Sequence, residues 1–170
     1  MSKTLPVLKT DQELFDASYE LGFEIHQFNF TVYHLAFRSD FDQETQNTFM
    51  TAFAIYARNL YHFFYDDNPR PGDVIAKHWY RDTPINWKLI RPPVTGTLKT
   101  IHQKVSVRAA HILYARVAST DDHWFWIQTH QELKVPLHKF LDTAPPNRLR
   151  PGFSNFKQGW AWTDGMTPPP

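Results

Sequence analysis

Two stretches of this chain set polar, proton-carrying side chains among bulky apolar ones. In the first, Arg58, Asn59 and His62 lie between Phe53, Tyr56, Leu60, Phe63 and Phe64. On a helix Arg58 and His62 are i and i+4, and Asn59 and His62 are i and i+3, so the three share a face. Polar groups in such company are costly unless they find partners. In the second stretch Lys104, Arg108 and His111 follow one another four and then three residues apart, with Arg116 beyond. That spacing makes a basic strip beside an apolar one. If the two helices face each other, Arg108 and His111 meet Asn59 and His62. Two histidines, two arginines and an amide suit phosphodiester chemistry in RNA. One histidine takes the proton of a 2′-hydroxyl, while the arginines offset charge on a phosphorane-like transition state. Histidine fits the first task because its unperturbed pKa lies near about 6.5. The plainer alternative has Arg58 on a solvated edge, Asn59 bonded to a neighbouring backbone, and His111 as a half-buried histidine on a solvated basic face.

Nine histidines also raise the question of a metal. His123, His130 and His138 can line one face of a helix, and His26 and His34 are eight apart. Two helical turns span about 11 Å, however, too far for ligands that each sit about 2 Å from one ion. A site would need histidines from different helices. No HExxH, no ExxH pair and no carboxylate cluster of the di-iron type occurs. Phosphate-cradling and dinucleotide-binding glycine motifs and the serine nucleophile elbow are missing as well, in a chain with only six glycines. No cofactor and no metal is expected.

Helices must position these groups. Thr10 and Glu13 form a capping box, each able to satisfy the other's free backbone donor. Leu14, Ser18, Leu21, Ile25, Phe28, Val32 and Leu35 then alternate four and three residues apart, which predicts one long helix ending near Arg38. After a short polar turn, a second helix is expected over Gln43 to Tyr65, stopped by the sequence Asp66-Asp67-Asn68-Pro69-Arg70-Pro71-Gly72. Asp73 is placed to cap a short helix through Tyr80. Residues 81–94 read as an irregular crossing pinned by Trp87 and Ile90. A third long helix is expected from Thr95 or Thr97 to Ala118, and a fourth from Asp121 or Asp122 to Asp142, kinked or broken at Pro136. The expected fold is all-α, an antiparallel bundle of about four long helices with a short extra helix. Residues 1–144 form its domain. Residues 145–170 form a non-helical tail rich in proline and glycine, whose Phe153, Phe156, Trp160 and Trp162 dock on the bundle or on a partner.

The bulk composition agrees with one globular domain. The chain has 170 residues, 42% of them hydrophobic and 16% aromatic. A chain of this size buries roughly 70% of its unfolded surface, enough for a core without staples. It has no cysteine, which excludes disulfides, thiolate metal sites and a cysteine nucleophile, and fits a reducing compartment. The most apolar stretch carries Arg58, Asn59 and His62, so it reads as a core helix and no membrane span is expected. The N-terminus has no apolar secretory core. A cytoplasmic location is expected. The net charge of +1 does not suggest strong nonspecific DNA binding.

At Arg58-Asn59-Leu60 and Phe63-Phe64, and again from His102 to Arg116, the chain resembles small bacterial helical proteins of the HEPN superfamily. The resemblance implies an all-helical bundle and, in many members, a metal-independent ribonuclease of toxin–antitoxin or defence systems, often dimeric; other members are binding modules. The family's arginine is commonly followed by a polar residue, with four to six residues before the histidine. Here Arg58 and Asn59 match the opening, and three residues separate Arg58 from His62. By this resemblance Arg58 and Asn59 are the phosphate and orienting groups, with His62 and Arg108 beside them, and His111 carries the proton. A different expectation is a non-catalytic adaptor or oligomerisation module, using the aromatic tail to hold a second copy or another protein.

Overall fold

The computed structural model describes residues 9–38, 40–110 and 126–161, with the backbone alone for 105–110. Every regular element among them is helical. Helix α1 spans Asp11–Phe37 and α2 spans Gln43–Tyr65. A 3-10 turn at Ala76–Tyr80 and a single turn α3, Trp87–Ile90, follow. Helix α4 is described over Gly96–Ala110 and α5 over Trp126–Thr143. A 3-10 turn at Pro146–Arg148 leads to a one-turn helix α6, Asn155–Gly159.

Local chemistry explains the boundaries. The Thr10 hydroxyl accepts from the Glu13 amide at 3.1 Å while Glu13 accepts from the Thr10 amide at 2.6 Å, so the expected capping box starts α1. Asp42 caps α2 by accepting from the Thr45 amide at 2.7 Å. Asp73 acts differently from expectation. Its carboxylate accepts from the Arg70 amide at 2.8 Å and closes the Pro-Gly turn, and the helical turn begins three residues later, where His78 Nδ1 accepts from the Ile75 amide. Pro136 does not break α5, which continues to Thr143. The first turns of the expected fourth helix, and the end of the third, lie outside the described residues.

The four-three stripe of α1 is the core seam: Leu14, Ser18, Ile25, Phe28 and Val32 are fully buried and Leu21 nearly so. It packs on α2, which also packs on α4, and α5 touches all three. Phe140 of α5 sits at the hub, with the rings of Phe63, Phe64, Trp79, Tyr80 and Trp87 around it at 5.2–6.3 Å. Trp87 pins the crossing by donating its indole N–H to the Phe64 carbonyl at 2.8 Å.

The C-terminal aromatics join this core. Phe153 and Trp160 are buried, and Phe156 packs beside them. A Cβ on Gly22 would lie 3.4 Å from both Phe153 and Phe156, so a side-chain-free position on α1 makes the seat for them. Trp160 stacks on the fully buried His130 at 4.3 Å, and that ring nitrogen meets Asn29 Oδ1 at 2.8 Å. The segment therefore includes helical turns, contrary to the expectation of none. Trp162 lies outside the described residues.

Candidate functional site

Arg58, Asn59 and His62 line one groove of about 650 Å³ between α1, α2 and the turn that follows α2. Its floor is apolar, with Leu21, Leu60, Phe63 and Trp79, and its walls are charged. Helix α2 presents the three residues on one side because they are one turn apart, while its opposite stripe, Phe53, Ala57 and Phe64, is held in the core.

Each of the three meets a different environment. Asn59 donates from Nδ2 to Glu24 Oε2 on α1 at 3.0 Å, so its amide is oriented by a side chain and not by the backbone. Burial pushes the Glu24 carboxyl above its ordinary value; the Asn59 bond opposes that shift and the neighbouring Glu20 adds to it. His62 faces its own helix's last turn, with Nδ1 3.4 Å from Asp66 Oδ2 at i+4. Arg58 is half-buried in the groove wall, and among the described residues no carboxylate pairs with it. Arg70 and Asp73 stand at the far wall.

The second basic stretch meets the first through a residue that the sequence did not single out. His102 on α4 brings its Nε2 to 3.3 Å from Nε2 of His62 and stacks on Tyr61 at 4.3 Å with planes 23° apart. Burial first, then the charges of His62 and Arg58, push the His102 imidazole below its usual pKa; Asp66 opposes them. Arg108 belongs to α4, but its side chain is outside the described set, and His111 lies outside the described residues altogether.

Glu24, Asp66 and His102 were therefore missed as site residues. Asp66 read only as part of the stop after α2. Glu24 stands three residues after Leu21 and one before Ile25, a flank of the buried stripe that a stricter reading of the helix would have flagged. His102 carried no signal of its own, because its importance depends on which α2 residue it faces.

No third histidine, cysteine or acidic side chain joins a metal-binding group of three among the described residues. No helix among them is long and apolar enough to cross a membrane. The fold is an all-α bundle with a charged, apolar-floored groove on one side. Comparison of the chain with protein families, with curated proteins and with solved structures finds no match.

Proposed function

We propose that this chain is a HEPN-like helical protein that binds or cleaves RNA, with the groove beside α2 as the place where the phosphate backbone sits. The observation that carries the reading is that Arg58, Asn59 and His62 open onto one groove, while α4, which bears His102 and Arg108, packs against the same end of α2. A guanidinium without a carboxylate partner in a partly desolvated wall is a ready phosphate contact. Asn59, fixed by Glu24, orients the chain, and His111 carries the proton.

The test is RNA cleavage in excess EDTA by the parent, Arg58→Ala and His111→Ala. Removing a general acid or base should lower the rate about 10²–10⁴-fold. Arg58→Ala should also weaken RNA binding and make it less sensitive to salt, by about one phosphate contact. A parent that binds but does not cleave reduces the reading to a binding module. A parent that does neither removes it.

A second reading, the adaptor or oligomerisation module, draws on a different surface from the one expected of it. Trp160 and Phe153 are in the core and are not presented to a partner. Helix α1 instead carries Tyr19, Phe23 and Phe30 on its outer side, each between 44% and 59% exposed, with Tyr33 and Phe37 at similar exposure further along. Steps of four, seven, three and four residues put them on one stripe, which a second copy of this chain can cover. Light scattering of the parent and of Phe23→Glu distinguishes the cases: a dimer that becomes monomeric supports this reading, and a monomeric parent ends it.

A further inference from the structure

His62 and His102 come from different long helices and approach through like atoms, Nε2 to Nε2, at 3.3 Å. At that distance one ring can donate to the other as a long hydrogen bond, and the same spacing leaves both nitrogens aimed at a common point. The ring centroids are 5.0 Å apart and the planes differ by 69°. Two imidazoles meeting head-on at this nitrogen separation would hold their centroids about 5.5 Å apart, since each nitrogen sits about 1.1 Å from its ring centre. The shorter observed separation means that the rings are inclined to each other. Two rings that share one tetrahedral ion at about 2.0–2.1 Å have nitrogens about 3.3 Å apart and centroids about 5.1 Å apart. Both observed distances fit that arrangement.

The surroundings fit it too. A ligating histidine commonly turns its other ring nitrogen to a carboxylate, which fixes the ring and strengthens it as a donor. Asp66 Oδ2 lies 3.4 Å from the other nitrogen, Nδ1, of His62, at ion-pair distance and not in a formed hydrogen bond. The stack on Tyr61 holds the plane of His102. The His62 side chain is 39% exposed, which leaves room for water in the remaining coordination positions. Arg58 is the adverse neighbour, and its charge works against that of Asp66.

We propose that His62 and His102 form a two-histidine site for a divalent transition ion of the zinc type, joining α2 to α4, with Asp66 as the carboxylate that orients His62. Neutral imidazoles select zinc, cobalt, nickel or copper over magnesium and calcium, which prefer oxygen ligands. With two protein ligands and open positions, the site is exchangeable and weaker than a closed structural one.

The experiment titrates the purified full chain with Co²⁺, read by its visible absorption, and with Zn²⁺, read by calorimetry. The parent is compared with His62→Gln, His102→Gln, Asp66→Asn and, as control, His26→Ala, which removes an exposed histidine elsewhere on α1. Circular dichroism verifies that each variant is folded. One equivalent is expected in the parent, with the intense absorption of tetrahedral cobalt. Affinity should fall at least about ten-fold in each histidine variant and about ten-fold in Asp66→Asn, and stay unchanged in His26→Ala. Zn²⁺ should raise the melting temperature of the parent and not of the two histidine variants. Absence of one-equivalent binding in the parent, or equal affinity in parent, His62→Gln and His102→Gln, overturns the proposal. No RNA is present, so this outcome is separate from that of the ribonuclease assay.

Discussion

Glu24 shows how burial and partnership compete at one residue. Its carboxyl is half-desolvated between α1 and α2, and the single bond from Asn59 does not offset that burial. Folding therefore raises its pKa, and the protonated form is the one the fold accepts more readily. Its favourable contribution is complete below the ordinary carboxylate range and is lost as the pH climbs through the raised value. Glu24→Gln, which keeps an acceptor for Asn59 without the charge, should melt above the parent at neutral pH. The two curves should converge near about pH 3, where both proteins are uncharged at this position. Thermal melts across that range check it; equal melting temperatures at neutral pH would contradict the burial account.

At the scale of elements, the start of α1 is tied to the far end of the chain by charge. Asp11 Oδ1 accepts from Arg81 at 2.7 Å and from Arg148 at 2.8 Å. The nearly buried Arg148 also donates to the carbonyls of Trp79 and Arg81 at 2.6 and 2.8 Å. The Arg81 hydrogen bond, with Arg148 behind it, holds the Asp11 carboxyl below its usual pKa. A depressed carboxylate stabilises the fold above its unfolded pKa, and that contribution disappears as the pH falls through the folded one. Acid should therefore erode stability in the parent more steeply than in Asp11→Asn, as urea unfolding between about pH 5 and pH 2 would reveal. The same slope in both would mean that the ion cluster is not felt. Arg148→Ala should cost more, about 2–4 kcal/mol at neutral pH, because it strips the Trp79 and Arg81 carbonyls of its guanidinium and leaves Asp11 with Arg81 as its remaining arginine.

For the molecule as a whole, the C-terminal segment acts as core and not as an appendage. Trp160 packs against Phe28 at 5.5 Å and against His130, and Asn29 donates to the Gly159 carbonyl at 3.1 Å. The indole of Trp79 donates to the Arg148 carbonyl at 2.9 Å, which fastens the approach to that segment. Trp160→Ala should lower the unfolding free energy by about 3–5 kcal/mol, the usual range for deleting a buried large aromatic. Ending the chain at Leu149 should be more damaging still, since it uncovers α1 at Gly22. Urea unfolding measures both, and a truncated chain as stable as the parent would show that these aromatics contribute nothing to the bundle.

Much of this architecture is legible in the residues alone, because helices are decided locally. The Thr10–Glu13 box, the stripe from Leu14 to Leu35 and the Asp66–Gly72 stop concern groups within a turn or two of one another, so α1 and α2 were readable nearly to the residue. Pro136, expected to kink or break its helix, does not break it, for the converse reason. Its missing N–H argues for a break, yet Leu133, Leu137 and Phe140 are all buried, and a helix carried on through the proline keeps them in the core. The tail was half-readable: its aromatics announced burial, but nothing local could say that Gly22 and His130 would receive them. The groove was least readable of all. That Arg58, Asn59 and His62 share a helix face follows from spacing, whereas their partners Glu24 and His102 are 35 and 40 positions away in the chain. Partnership over such separations is set by how helices dock. Docking depends on the sum of many apolar contacts, which no single residue's neighbours along the chain encode.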